Sequence, residues 1–165
     1  MKYDCTLKKL DSQPVMSIRG WTNLEQLSST IAEYLEQIWK YIEIADGEVV
    51  GPPFSRCHQE KGGEIDIEAG VPIRTALPDE SVIKSGELPG GEAVVTVHYG
   101  PYKRLLEADE SLEAWVRQHE RAPSGPSWQV YCSNPGEVPN PEEWKTEIVK
   151  PLFPRSRRSL RLFRT

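Results

Sequence analysis

Cysteine is scarce in this chain, and its few copies are poorly spaced for pairing or for binding a metal. Only Cys5, Cys57 and Cys132 occur in 165 residues, and none of them belongs to a Cys-x-x-Cys motif. Three thiols cannot all pair, so a disulfide framework is improbable, and the spacing of zinc ligands is missing. We therefore expect a reducing, cytoplasmic location and neither a metal nor a cofactor.

Long apolar runs are absent as well, which excludes a membrane-spanning helix. The longest apolar stretches cover only a few residues, whereas a bilayer requires roughly 20. Residues 1–10 include Asp4 and three lysines and lack the apolar core of a signal peptide. The chain does contain five Trp, six Tyr and three Phe, which argues against intrinsic disorder and for a folded domain.

Charge is distributed unevenly along the chain. The whole sequence carries 25 acidic and 20 basic residues, but residues 155–165 hold five arginines and no acid. Residues 1–154 therefore have a net charge of −10, which attracts cations and repels nucleic acid. We expect one domain over residues 1–154 and no nucleic-acid partner. The positive charge of the basic tail, residues 155–165, would offset part of the negative charge of this domain. An arm that touches nucleic acid or anionic lipid is the alternative for this tail.

Apolar residues at three- and four-residue steps predict two amphipathic helices. The first has its apolar positions between Leu24 and Ile42 and is ended by Asp46-Gly47, and Thr22 and Glu25 form a capping box at its start. The second lies near Tyr102–Glu120. Two strand-like runs precede each helix and two follow it. In the last run of the first half, residues 64–73, apolar and polar residues alternate, which predicts a strand with one buried face.

The two halves of the chain, about 3–73 and 82–152, agree in the order of these elements and in the Gly and Pro residues that separate them. Superimposing them places Glu68 on Glu147 and the string G-P-P-F on G-P-S-W. This agreement predicts an internal duplication of a strand-strand-helix-strand-strand unit. Because neither half can bury its sheet alone, we expect an α+β domain in which the halves pack with pseudo-twofold symmetry.

The two matched acids are the first candidates for a functional role, because standard catalytic motifs are missing. The sequence has no Gly-rich phosphate loop, no G-x-S-x-G and no H-E-x-x-H. A twofold axis would bring Glu68 and Glu147 to related places in one groove. They are either solvated strand acids or site carboxylates, whose burial a bound cation would compensate.

Aromatic residues could form the walls of such a groove. Trp39 and Trp115 have comparable places on the two predicted helices, and Trp21 lies beside the start of the first. Tyr131 points to the opposite side of its strand from the apolar residues Trp128 and Val130. Core packing is the alternative for each of the four. A carboxylate between flat aromatic walls is suited to hold a bulky organic cation, by charge neutralisation and cation–π attraction.

Five segments within Tyr3–Leu152 carry a resemblance to a known family. They are V-M-S-I-R-G (15–20), G-P-P-F (51–54), G-E-L-P-G-G (86–91), V-H-Y-G-P-Y (97–102) and W-K-T-E-I (144–148). Together they resemble the GyrI-like small-molecule-binding domains. The same module is the effector-binding domain of many AraC-type and MerR-type multidrug regulators, and since no DNA-binding segment precedes it here we expect the stand-alone form.

This resemblance implies both a fold and a site. The fold would be built from duplicated strand-helix-strand-strand units, with antiparallel sheets and two main helices flanking a central groove. The ligands would be diverse lipophilic, often cationic aromatic molecules, and the acid of the final strand, here Glu147, would be the partner of the positive charge. Glu68 would then be a second acid, with the walls provided by Trp39, Trp115, Tyr131 and Trp21. A departure is Cys57, which replaces an expected aromatic residue.

Three functions follow from these observations. We favour polyspecific binding of hydrophobic cations, a multidrug-binding or sequestering role. The alternative is a hydrolase that opens the cyclopropane rings of DNA-alkylating natural products, with Glu147 and Glu68 sharing the acid and base roles. The third is an interaction protein, whose partner would be gyrase or a regulator recognised through the acidic surface.

Overall fold

The computed structural model describes residues 3–134 and 136–155 and shows an α+β fold. Its main elements are β1 Thr6–Leu10, β2 Gln13–Asn23, α1 Leu27–Ile44, β3 Phe54–Lys61, β4 Glu64–Pro72, β5 Lys84–Leu88, β6 Gly91–Tyr99, α2 Leu105–Gln118, β7 Trp128–Tyr131 and β8 Lys145–Pro151. The order strand, strand, helix, strand, strand thus occurs twice. The predicted basic tail lies, apart from Arg155, outside the described residues.

The eight strands form one antiparallel sheet in the order β1-β6-β8-β7-β3-β4-β2-β5. The two halves meet at the central strands β3 and β7, where Ser55 lies opposite Gln129. Exchanging the halves would leave this strand order unchanged, which is the topology that pseudo-twofold packing requires. The duplication itself stays a prediction.

Two very short connections force this sheet to curl. Residues 11–12 join β1 to β2, and residues 89–90 join β5 to β6, although each pair of strands lies near opposite ends of the strand order. A flat eight-stranded sheet would hold its ends tens of ångströms apart, because neighbouring strands are about 4.8 Å apart. The sheet therefore closes on itself as a half-barrel, and the antiparallel fold with two helices is confirmed.

The two faces of the curled sheet are buried against different partners. On the inner face, one cluster joins strands from both ends of the order, and it consists of Val15, Phe54, Leu88, Ala93, Val95, Trp128 and Val149. On the opposite face, here called the helix face, α1 covers Met16 and Ile18, and α2 covers Val94 and Ile148. Strand alternation assigns successive residues to these two cores in turn.

The predicted start of the first helix was wrong. Strand β2 continues to Asn23, so Thr22 lies in the strand, and its hydroxyl is 2.7 Å from the hydroxyl of Thr30. The helix begins at Leu27 after Gln26, which provides no side-chain cap. The capping-box pattern failed because a buried strand extends through it.

The prediction of one buried face for residues 64–73 was also wrong. Strand β4 is buried on both faces, because α1 covers one face and the inner cluster the other. Its acids Asp66 and Glu68 are therefore inside the protein and require partners.

The second predicted helix is confirmed with a different beginning. Residues Tyr102–Arg104 form a turn of 3-10 helix, and the α-helix follows from Leu105 to Gln118. Neither helix in the described part of the chain is long and apolar enough to cross a bilayer.

Gly90 should be the glycine on which closure of the sheet depends. A Cβ atom at this position would lie 2.7 Å from the backbone nitrogen of Ser12 and 3.1 Å from the carbonyl oxygen of Leu10. We expect Gly90→Ala to lower the free energy of unfolding by about 1–3 kcal/mol in urea titrations, because backbone must move to admit the methyl group. The control Gly125→Ala meets nothing within 4 Å and should change it by less than about 0.5 kcal/mol. Equal stabilities of the two variants would contradict the close contact.

Candidate functional site

The two helices leave the middle of the helix face open. Helix α1 packs mainly on β2 and β4, and α2 packs mainly on β6 and β8, so the central strands β3 and β7 lie between them. A groove of about 680 Å³ occupies this place. Ligand pockets of drug-sized molecules are typically about 300–1,000 Å³, so the groove has the size of a small-molecule site.

Helix α1 supplies one wall of the groove. Its residues Ile31, Leu35 and Trp39 line the cavity, and their spacing of four residues puts them on one side of the helix. Trp39 is 41% exposed, which is high for an indole side chain on a helix that packs against a sheet. Residues 51–53, Gly-Pro-Pro, close the end of this wall before β3 begins.

Aromatic rings form the other side. Tyr102 and Tyr131 both line the groove, with ring centroids 5.4 Å apart in an edge-on arrangement. Trp144 packs against Tyr102 at 4.9 Å, and its indole nitrogen donates to the carbonyl of Val138 at 2.7 Å. Burial raises the pKa of the Tyr102 and Tyr131 hydroxyls, so both rings are neutral at physiological pH.

The groove carries a negative charge and no positive one among its described lining residues. Its acid is Glu137, which belongs to the segment between β7 and β8 together with the lining residues Cys132, Ser133 and Asn134. A carboxylate beside apolar and aromatic walls favours a cationic guest. In residues 3–134 and 136–155 no cluster of three or more His, Cys, Asp or Glu is placed to hold a metal ion.

The structure places the four predicted aromatic residues in different surroundings. Trp39 and Tyr131 line the groove. Trp115 stacks on His119 with ring centroids 4.0 Å apart and packs against the core beneath α2. Trp21 lies on β2 with 48% of its surface exposed. Trp115 and Trp21 do not belong to the described residues that line the groove.

Glu68, the first of the two predicted acids, is buried on the inner face and already neutralised. Its Oε2 accepts a hydrogen bond from Ser17 at 2.7 Å, and its Oε1 accepts one from Arg56 at 2.9 Å and lies 2.7 Å from Nε2 of His58. Burial alone would raise the pKa of Glu68. The hydrogen bond from Ser17 and the charge of Arg56 outweigh burial, so this pKa lies below its ordinary value.

Glu147, the second predicted acid, occupies the position on β8 that corresponds to Glu68 on β4, but it lacks partners like those of Glu68. Its register neighbours are Val97 and Val130, and its half-buried carboxylate forms no hydrogen bond or ion pair with any described residue. Alternation along the strand directs it to the inner face, away from Tyr131. Burial and the nearby charge of Glu147 together raise the pKa of the Cys132 thiol. Cys132 lines the groove, but Glu147 itself does not belong to the described residues that line it.

Among the lining residues that the sequence did not predict, Glu137 and Tyr102 are the charged residue and the second tyrosine. Glu137 lies in a Pro-rich loop without periodicity, so the sequence contains no signal that orients its side chain. Tyr102 stands in the V-H-Y-G-P-Y segment, and that segment was the one available pointer to it.

The pKa shifts of the inner acids predict loss of stability in acid. The hydrogen bond and charge of Arg19 hold the pKa of Asp66 below its ordinary value, as the partners of Glu68 do for that residue. A lowered folded-state pKa stabilises the protein above the unfolded-state pKa, and this contribution disappears as the pH falls. We expect the free energy of unfolding to drop as the pH decreases below about 4.3.

Glu68→Gln tests the source of this pH dependence. At pH 7 the variant should lose about 3 kcal/mol of unfolding free energy, because Arg56 is left without its carboxylate, and its stability should depend less on acid. The control Glu64→Gln changes an exposed acid of the same strand and should keep the wild-type pH profile. An identical acid profile in Glu68→Gln and wild type would contradict this assignment.

Solved structures share this fold. The C-terminal domain of EcmrR superimposes with a TM-score of 0.80 and 22% identity, over 94% of this chain and 100% of that domain. In the longer EcmrR chain of an EcmrR–DNA complex, the match has a TM-score of 0.78 and 24% identity, and it covers 91% of this chain and 57% of that one. This chain thus spans little more than half the length of that protein.

Two further neighbours are more distant. SAV2435, bound to tetraphenylphosphonium, has a TM-score of 0.60 and 18% identity over 93% of this chain and 94% of its own. A hydrolase from Listeria innocua has a TM-score of 0.66 and 15% identity over 90% and 91%. These likenesses show the fold alone.

The family itself is shown by the sequence. No curated protein matches the chain. The profile of the GyrI-like small molecule binding domain matches residues 3–152, which include every strand and both α-helices described above. The resemblance found in the five sequence segments is therefore confirmed, and the chain belongs to the GyrI-like small-molecule-binding family.

Proposed function

We propose that the groove binds bulky hydrophobic molecules that carry a positive charge on an aromatic system. The observation that carries this proposal is the composition of the groove. Its walls are aliphatic and aromatic, and its charged lining residue is Glu137. Apolar walls contribute affinity in proportion to the area they cover and demand no particular shape, so such a site accepts many ligands.

A carboxylate gives this groove its preference for cations. Glu137 lines the groove directly, and Glu147 adds a second negative charge behind Cys132. The Glu147 carboxylate has no ion pair with a described residue, so no described cation offsets its charge. The similar protein SAV2435 is seen with tetraphenylphosphonium, a lipophilic cation, which supports the same ligand class for this chain.

The geometry favours binding over hydrolysis. Acid–base chemistry on a ligand needs two carboxylates that are free to exchange protons within reach of it. Glu68 is held by Ser17, Arg56 and His58 on the inner face, so it is not free, and Glu147 points to that face as well.

The charge preference can be measured with two dyes that share one ring system, cationic Nile blue and neutral Nile red. We expect Glu137→Gln to weaken Nile blue binding about fivefold in fluorescence titrations and Nile red binding less than twofold, because only the cation loses a charge interaction. Glu147→Gln should weaken Nile blue binding less than Glu137→Gln does, because the Glu147 side chain faces the inner side of the sheet and does not line the groove. The control Glu143→Gln removes an exposed acid of the same segment that does not line the groove. Equal losses for both dyes, or an equal effect of the control, would contradict a site carboxylate.

The contribution of the walls can be measured separately with tryptophan variants. Trp39→Ala should weaken both dyes by about tenfold, since it removes a large apolar surface from the groove. The control Trp21→Ala removes a similarly exposed indole outside the groove and should change neither affinity more than about twofold. If Trp21→Ala were as damaging as Trp39→Ala, the site would not lie in this groove.

A further inference from the structure

A row of four polar side chains crosses strands β3, β7 and β8 on the helix face, and one of the four, Tyr131, lines the groove. Ser55 lies opposite Gln129 in the register of β3 and β7, and Tyr131 lies opposite Thr146 in the register of β7 and β8. Gln129 and Tyr131 are two residues apart on β7, so alternation puts all four on the same face. We call Ser55, Gln129, Tyr131 and Thr146 the polar row.

Hydrogen bonds within the polar row leave out one member. The hydroxyls of Ser55 and Tyr131 are 2.5 Å apart, and the Tyr131 hydroxyl donates to Oε1 of Gln129 at 3.4 Å. Thr146 is fully buried, and its hydroxyl has no hydrogen-bond partner among the described residues.

This orphan hydroxyl is exceptional in the described part of the chain. Nine polar or charged side chains are buried there, and the other eight all have partners. Thr96 is a close comparison, because it is a buried threonine on the same face of the neighbouring strand, and its hydroxyl donates to the carbonyl of Asp4 at 2.9 Å. A valine would fill the space of Thr146 without burying an unpaired hydroxyl, so packing does not explain this residue.

We propose that Thr146 is the recognition group of a polar subsite in the floor of the groove. The subsite takes a neutral hydrogen-bonding substituent, an amino or hydroxyl group, on a ligand whose flat ring occupies the groove. This inference rests on the proposed function and adds a second element of ligand choice to it. Charge is selected at the acidic side of the groove, and the substituent is selected at its floor.

Tyr131 controls access to this subsite. It lines the groove and lies directly opposite Thr146, so displacement of its ring opens a path from the cavity to the hydroxyl. The ring is held by its bond to Ser55 and by its edge contact with Tyr102. A ligand ring that stacks on the wall can replace the Tyr102 contact, and its substituent then supplies the hydrogen bond that Thr146 lacks.

The test uses two acridinium cations with different substituents. Proflavine carries amino groups with N–H donors, whereas in acridine orange the same nitrogens are methylated and donate nothing. We expect Thr146→Val to weaken proflavine binding about tenfold in fluorescence titrations and acridine orange binding less than twofold, because one hydrogen bond is lost with the first dye alone. Thr146→Val should also melt at or above the wild-type temperature, since it removes an unpaired hydroxyl.

Two further variants make the result specific to the hydroxyl of Thr146. Thr146→Ser keeps this hydroxyl and should keep the wild-type ratio of the two affinities. Thr96→Val removes a hydroxyl that has a partner, so it should melt at a lower temperature and leave the ratio unchanged. Equal effects of Thr146→Val on both dyes, or none, with binding otherwise intact, would overturn the subsite alone. Failure of the wild-type protein to bind either dye would overturn the proposed function instead.

Discussion

Two connections of two residues each shape the whole molecule, because they tie together strands that lie near opposite ends of one sheet. Residues 11–12 and 89–90 approach so closely that position 90 admits no side chain without a clash with backbone. The sheet must curl, and its inner face becomes a closed core around Phe54 and Trp128. Helix α1 then packs on β2 and β4 and helix α2 on β6 and β8, and the central strands β3 and β7 lie between the two helices. The groove is thus a consequence of how the sheet closes.

The same curl gives the two matched acids different roles. Glu68 faces Arg56 across the β3–β4 register, and the pair is neutralised inside the half-barrel. Glu147 faces Val130 across the β7–β8 register, so the corresponding cation is missing. One half therefore pairs its acid inside the fold, whereas the carboxylate of the matched acid in the other half forms no ion pair with a described residue. A buried charge without a partner destabilises the fold, so the half-buried place of Glu147 beside the groove limits that cost.

Periodicity in the sequence predicted most of the fold and part of the site. Alternation and helical spacing predicted both α-helices and placed Trp39 and Tyr131 correctly on their elements, because side-chain direction follows from backbone geometry. Periodicity says nothing of what covers each face, so the burial of Asp66 was not foreseen. Periodicity also gives no information about irregular segments. There, Glu137 is placed by tertiary contacts such as the hydrogen bond from the indole nitrogen of Trp144 to the carbonyl of the adjacent Val138.

The central strands are where this protein departs from the rules that hold in the rest of its fold. Elsewhere in the described part of the chain, the buried polar side chains are paired. Around β3 and β7, Trp39 stays exposed, and neither the Glu147 carboxylate nor the buried Thr146 hydroxyl has a partner among the described residues. Each feature costs folding free energy, and a bound molecule with a flat ring, a positive charge and a hydrogen-bonding substituent would relieve all three. Trp39 lines the groove, and Glu147 and Thr146 each adjoin a residue that lines it, Cys132 and Tyr131, so the three features lie around one groove and together form the physical argument for a ligand.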